Sequence, residues 1–192
     1  MAADKQMIAF WRPTDPDGYL GQWWKSNFCA TKETIEQLQQ KFNLQLFKDK
    51  PNVSAMLCTH DNYTTTEQFM MMGKAALFGD KESFAKMSLC NNPKMLKSLG
   101  RKVKFFDEVV WNKYSMDIVI IGNYHKFSQS SKLCKQLLGT GKAMLVEASP
   151  MDRVWGIGLK FDDPRVNDLS KWRGENKLGK CLEIVRSILQ KK

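Results

Sequence analysis

Two groups of residues have types and spacing that suit chemistry. The first is Glu67 with Lys74, in a run that is otherwise apolar (Phe69, Met70, Met71, Met72, Ala75, Ala76, Leu77). Steps of three, four and seven share one side of a helix, so Glu67, Met71 and Lys74 fall on one face. If buried, a carboxylate and an amine each need a partner or a ligand. Glu67 also has a structural reading, because Thr64 and Glu67 match a capping box, threonine followed three residues later by glutamate. The second group lies in 144–160, MLVEASPMDRVWGIGLK. Here an apolar run delivers Glu147, and Pro150, Asp152, Arg153, Trp155, Gly156 and Gly158 follow. A carboxylate, a guanidinium and a large aromatic on a glycine-bearing segment can form a loop that a ligand approaches closely. The same letters equally describe a strand ending in a turn, with Trp155 filling the core and Asp152 paired to Arg153.

Other chemistry is poorly supported. The chain has 5 cysteines and 2 histidines, and no CxxC. Cys58 and His60 stand close together but lack the signature of a catalytic dyad. No cluster has the spacing of a zinc site, so neither metal nor cofactor is expected. The odd number of cysteines and their wide spacing argue for thiols in a reducing compartment.

These residues must be positioned by a largely helical chain. Helices are predicted over 31–42 with Thr31 as N-cap, over 64–78 closed by Gly79, and from Asp80 to Leu89. Others follow from Pro93 to Gly100, from Asp107 to about Lys126, over 130–138, and from about Asn176 to Gln190. Val110, Tyr114, Ile118 and Ile121 mark the core side of the 107–126 helix, and on the same reading Trp111 is core. Short strands are predicted at 7–11 and 54–59, with a turn at 49–52 around Pro51 and a polar loop over 162–174 containing Trp172. The aromatic run 19–28, YLGQWWKSNF, reads either as core packing or as a pocket wall that stacks on a base. The expected fold is mainly α with a few short β-strands.

The chain has 192 residues, 43% hydrophobic and 26% charged, which suits one soluble globular domain over 1–192. No apolar run approaches the roughly 20 residues needed to cross a bilayer. The N-terminus, MAADKQMIAFW, has no signal-peptide layout. An intracellular protein, cytoplasmic or nuclear, is therefore expected, without membrane attachment and as a monomer. The net charge of +10 favours polyanionic partners. Part of it is local: Lys94, Lys97, Arg101, Lys102 and Lys104 occur with no acid among them. This run is a candidate phosphate-contacting patch.

A set of segments then carries a resemblance. In order they are SNF (Ser26, Asn27, Phe28), TTEQFMMMGKA (65–75), WNKYSMDIV from Trp111, KF (Lys126, Phe127), LLGTG (137–141), LVEASPMDRVWGIGL (145–159) and GENKLGKCLEIVR (174–186). Together they resemble the NADAR superfamily, also called YbiA-like, over nearly the whole chain. The resemblance implies a single compact, mostly helical domain and an N-glycosidase that acts on ribose-linked nitrogen. Some members remove ADP-ribose from modified guanine in nucleic acid, and others cleave early riboflavin-pathway intermediates. Gln68 stands where the bacterial flavin-linked branch commonly has a histidine, and 31–51 is inserted relative to the shorter bacterial pattern. Both departures favour the ADP-ribose role in DNA or RNA, with the flavin role and a non-catalytic ADP-ribose binding module as alternatives.

Through the same resemblance, Glu67 and Asp152 become an acid–base pair. An N-glycosidic bond breaks through an oxocarbenium-like centre that a carboxylate can stabilise, and the leaving nitrogen needs a proton. Lys74 matches a family lysine that could hold a phosphate or ribose hydroxyl, or attack the opened sugar as a Schiff-base amine. Trp111 and Trp155 would offer flat faces for a base, and Gly156 and Gly158 would present N–H groups to a diphosphate. Ser26, Asn27, Phe28, Lys126, Glu147 and Asn176 complete the expected ligand contacts. Asn176 is equally a candidate helix N-cap. Arg186 is as well suited to a salt bridge with an acid such as Glu147 as to a ligand.

Overall fold

The structure is a computed structural model that describes residues 7–191; the first six residues and Lys192, which include most of the N-terminal stretch read above for a signal peptide, lie outside it. Its elements in order are β1 (Met7–Phe10), α1 (Lys32–Phe42), α2 (Leu46–Asp49), α3 (Pro51–Leu57), α4 (Thr66–Leu77), α5 (Lys81–Ser88), α6 (Pro93–Gly100), α7 (Glu108–Ser128), α8 (Ser131–Gly139), β2 (Met144–Glu147) and α9 (Lys177–Gln190). Short 3-10 turns occupy Gly18–Leu20, Pro164–Asn167 and Leu169–Lys171. The fold is mainly α, as expected from the sequence. The chain forms two compact units, one of Lys25–Lys126 and one of Met1–Trp24 with Phe127–Lys192.

In the unit of Lys25–Lys126, α4 is the central element. Every residue of it except Lys74 is buried, and α3, α5 and α6 pack around it. Ile118 of α7 lies against Gly73. Local signals set the helix ends. Asp80 caps α5 through Ser83 N–H, and Asn92 caps α6 through the N–H groups of Lys94 and Met95. Pro93 stands at the first turn of α6, where its missing N–H costs nothing. Gly79, with φ at +70°, follows the end of α4.

Two local readings are corrected. The segment 54–59 is not a strand, and 49–52 is not a bare turn. Pro51 opens helix α3, and Val53 and Leu57, four residues apart, turn one face into the core at 2% and 0% exposure. Four apolar residues in six can be read with either period, and Pro51 at the helix start settles it. The capping box at Thr64 is also displaced. The cap is Thr65, whose hydroxyl accepts from Gln68 N–H at 3.1 Å. Gln68 instead reaches back with Oε1 to Thr64 N–H at 2.9 Å. Glu67 is therefore not the capping partner.

In the other unit, β1 and β2 form a parallel pair in the register Met7 with Met144 through Phe10 with Glu147. Val146, Ala148, Ile157, Leu159 and Val166 make a small core, with Trp172 packed against it. Trp172 closes its own turn by donating from Nε1 to Val166 O at 2.9 Å. Helix α9 packs on β2.

Candidate functional site

On α4, Glu67 lies in the first turn at 6% exposure. Lys74 is in the last turn, half-buried. Its ammonium sits 4.0 Å from the ring centroid of Phe106 and 5.4 Å from that of Trp111. Burial pulls its pKa below the usual lysine value. An amine held against two aromatic faces and partly desolvated can act as a cation toward phosphate. As its neutral fraction grows, it can act as a nucleophile. Trp111 is half-buried, so its ring serves Lys74 rather than acting only as core. Phe106 was not singled out from sequence. The available signal was an aromatic pair, Phe105 and Phe106, placed between a basic run and a long helix.

The Ser26, Asn27, Phe28 segment is sewn to the approach to α4. Phe28 and Tyr63 exchange backbone hydrogen bonds at 3.1 and 2.8 Å, and Ser26 N–H donates to Thr64 O at 3.0 Å. The Phe28 ring stacks on Tyr63 and is 3% exposed. Phe28 is thus a positioning residue, while Asn27 is exposed beside it. Lys126 is fully buried near the end of α7, and burial lowers its pKa to about 7. The Cys58 and His60 pair gains no catalytic character: burial raises the thiol's pKa and lowers the imidazole's.

In the other unit, the stretch after β2 is a folded turn held by its own backbone. Asp152 Oδ1 accepts from Val154 N–H at 3.0 Å and Trp155 N–H at 2.8 Å. The carboxylate builds the turn that carries Trp155, in place of the simple Asp152–Arg153 ion pair. The carbonyls of Arg153, Val154, Trp155, Gly156 and Ile157 accept from the N–H groups of Glu175, Lys177, Leu178, Asn176 and Arg173 respectively. The opening N–H groups of α9 are therefore satisfied by this loop.

That geometry bears on the diphosphate reading chiefly at Gly158. Gly158 N–H donates to Asp152 O at 3.0 Å and is already used. Gly158 is there for its φ of +68°. At Gly156 a Cβ would come within 2.7 Å of Glu147 O, so its role is close packing. Asn176 is likewise structural. Its Nδ2 donates to Leu145 O at 2.9 Å, and its Oδ1 accepts from Glu147 N–H at 3.0 Å. Glu183 accepts from Leu145 N–H at 2.8 Å. Two side chains thus satisfy the edge of β2 that β1 does not cover. Asn176 occupies the N-cap position of α9 but gives that helix no side-chain bond. Arg186 donates from Nη1 to Thr140 Oγ1 at 2.7 Å and Ala143 O at 2.9 Å, fixing the entry to β2. Glu147 is half-buried at the end of β2.

Among the described residues, no group of three or more His, Cys, Asp or Glu is placed to hold a metal. No helix of the described residues is long and apolar enough to cross a membrane.

The comparisons fit this architecture. A family model described as the NADAR domain matches residues 9–190. An N-glycosidase of Acanthamoeba polyphaga mimivirus is 46% identical over 124 residues, 65% of this chain and 73% of that protein. Protein irg-1 of Caenorhabditis elegans is 40% identical over 129 residues, 66% of this chain and 61% of that protein. A chloroplastic riboflavin biosynthesis protein of Zea mays is 32% identical over 105 residues, 53% of this chain but only 15% of that protein. The NMR structure of the E. coli protein YbiA superposes with a TM-score of 0.68 at 19% identity, covering 99% of this chain and 88% of that one. The last likeness is one of fold.

Proposed function

The chain belongs to the NADAR domain family, and from that premise we propose that it is an N-glycosidase that hydrolyses the bond between ADP-ribose and guanine in nucleic acid. Both units are read as parts of one such domain, since the matched region runs through both. The reaction class is supported by the mimivirus relative, which is named an N-glycosidase. The observation that carries the reading is on α4: a carboxylate, Glu67, at 6% exposure, two turns from the half-desolvated amine of Lys74.

In this reading water adds to the anomeric carbon of the ribose, and the bond from that carbon to the guanine nitrogen breaks. The water's hydroxyl stays on the sugar, and its one released proton ends on the leaving nitrogen. Glu67 stabilises the positive charge that develops on the ribose or takes the water's proton, and Asp152 is the second acid–base group. Lys74 holds a phosphate or ribose hydroxyl, or attacks the opened sugar as an amine. Trp111 and Trp155 supply flat faces for the bases. Ser26, Asn27, Lys126 and Glu147 remain candidate ligand contacts, while Phe28 holds its own segment against Tyr63, and Gly156, Gly158 and Asn176 hold the turn after β2.

The preference for ADP-ribose rests on Gln68 and on the basic run beside α4. Gln68 is 0% exposed and bonded to Thr64, Met87 and Cys90, a structural joint where the flavin-linked pattern has histidine. The test is parallel incubation with an oligonucleotide carrying ADP-ribosylated guanine and with the riboflavin-pathway intermediate. Release of ADP-ribose from the first alone is expected. Turnover of the second alone would replace the proposal with the flavin reading. Binding of ADP-ribose without turnover of either would make the chain a reader.

A further inference from the structure

The segment 101–109 combines local charge with an outward-facing aromatic in a way the glycosidase reading does not use. Its base is firmly held. Val103 is 6% exposed, Lys104 N–H donates to Asp80 Oδ2 at 2.9 Å, and Lys104 Nζ pairs with Glu82 at 2.8 Å. Asp80 is 3% exposed and also caps α5. Burial opposes its charge, but the hydrogen bonds from Lys104 and Ser83 outweigh that and lower its pKa to about 2. Immediately after this anchor, Phe105 takes φ of +57°. A phenylalanine in the left-handed region is strained, and the surrounding structure must hold it there.

That backbone turn separates the two rings. Phe106 packs edge-on to Phe78 at 5.4 Å and lies beneath Lys74. Phe105 is turned out at 79% exposure. Val109, in the first turn of α7, is equally exposed. Lys94, Lys97, Arg101 and Lys102 are exposed on the α6 side of this ring. Of the nearby acids, Glu82 takes both Lys86 and Lys104, Asp107 Oδ1 accepts from Val110 N–H, and Glu108 is exposed at the α7 end of the segment, away in sequence from Arg101 and Lys102. At Gly100, the end of α6 rests on Met71 of α4. Met71 lies between Glu67 and Lys74 on one face of α4, and Arg101 and Lys102 follow Gly100 directly in the chain.

We propose that 101–109 is a docking track for single-stranded nucleic acid, with Phe105 as a base-stacking platform and Arg101 and Lys102 as phosphate contacts. Strand binders combine these two elements, cations that follow the backbone and a ring that takes an unstacked base. An aromatic patch for a protein partner would not need cations at its border, and a duplex offers no open base face to Phe105. The proposal rests on the glycosidase reading only for what the strand carries, a modified guanine. Its test is independent of turnover.

Fluorescence anisotropy with an unmodified 12-nucleotide single strand is the measurement, made across a salt series. Wild type is expected to bind. Phe105→Ala and Phe105→Gly should each weaken binding by about tenfold, within the range of one stacked base, and Phe105→Tyr should restore it. The glycine variant also removes the backbone strain, so a shared loss reports the ring. Arg101→Ala with Lys102→Ala should lower the slope of log K against log salt by about 1.4, roughly 0.7 per phosphate. Lys132→Ala with Lys135→Ala on α8, an equal loss of exposed charge, should leave that slope within error. No binding by wild type, tighter binding to duplex, or equal effects of the two lysine and arginine pairs would each overturn the track. A chain that binds the strand yet releases no ADP-ribose would sink the glycosidase reading and leave the track standing.

Discussion

The ammonium of Lys74 lies 4.0 Å from the centroid of Phe106, a residue more than thirty positions further along the chain. The ring's electron-rich face stabilises the charged amine, while burial destabilises it, and burial wins, since the pKa is lowered. Replacing Phe106 with leucine keeps an apolar neighbour and removes the quadrupole. The amine then loses its proton more easily, so the inflection of kcat/KM that Lys74 sets should move to lower pH, on the alkaline limb if the amine acts as a cation and on the acid limb if it acts as a nucleophile. A pH–rate profile reads this directly. Borohydride trapping with ADP-ribose adds a covalent test, in which no adduct at Lys74 removes the Schiff-base role and leaves phosphate or ribose binding.

Glu67 offers a cleaner substitution than most buried acids, because Gln68 rather than Glu67 completes the helix cap. Glu67→Gln should lower turnover at least about a hundredfold, the scale of acid–base groups, with the melting temperature close to wild type. Undiminished turnover would remove Glu67 from the chemistry.

Asp152 needs two variants. Its Oδ1 holds the turn through Val154 and Trp155, so alanine removes structure and acid together. Asparagine keeps an oxygen acceptor and loses only the carboxylate. If Asp152 is an acid–base group, Asp152→Asn loses about a hundredfold in kcat at unchanged stability, and Asp152→Ala also lowers the melting temperature. Full activity in the asparagine variant would confine Asp152 to holding Trp155.

Gly179 tests the junction of α9 with β2. An added Cβ there would stand 1.9 Å from Leu145 O, backbone that cannot turn aside. Gly179→Ala should cost about 2 kcal/mol or more, as overpacking does, measured by urea unfolding. A change within error would mean that the junction yields.

Lys126 ties stability to pH. Its folded pKa is about 7 against an ordinary value of 10.5. Between those values the unfolded chain holds the extra proton, so stability rises with pH, by roughly 1.4 kcal/mol per pH unit at most. Below pH 7 both states are protonated, and the buried charge has its full cost. Lys126→Met should flatten this part of the profile in denaturation series from pH 6 to 9. Parallel profiles for the two proteins would show that Lys126 is charged in both states.

The sequence by itself determined the features that short-range rules govern. Asp80 and Pro93 announced α5 and α6, and the periodicity of the methionine-rich run placed Glu67 and Lys74 on one face of α4. Helix ends and faces depend on neighbours within a turn, and those are visible in the letters. The run at 54–59 failed because its four apolar residues fit either period, and Pro51 at the start of α3 decided it. What only the tertiary structure decided are pairings across long separations. Phe106 reaches Lys74, Lys104 reaches Asp80, and Asn176 and Glu183 cover the open edge of β2. A motif residue such as Asn176 or Gly158 reads the same whether it touches a ligand or holds the backbone. Only the direction of its hydrogen bonds separates the two, and that direction is set by packing between distant segments.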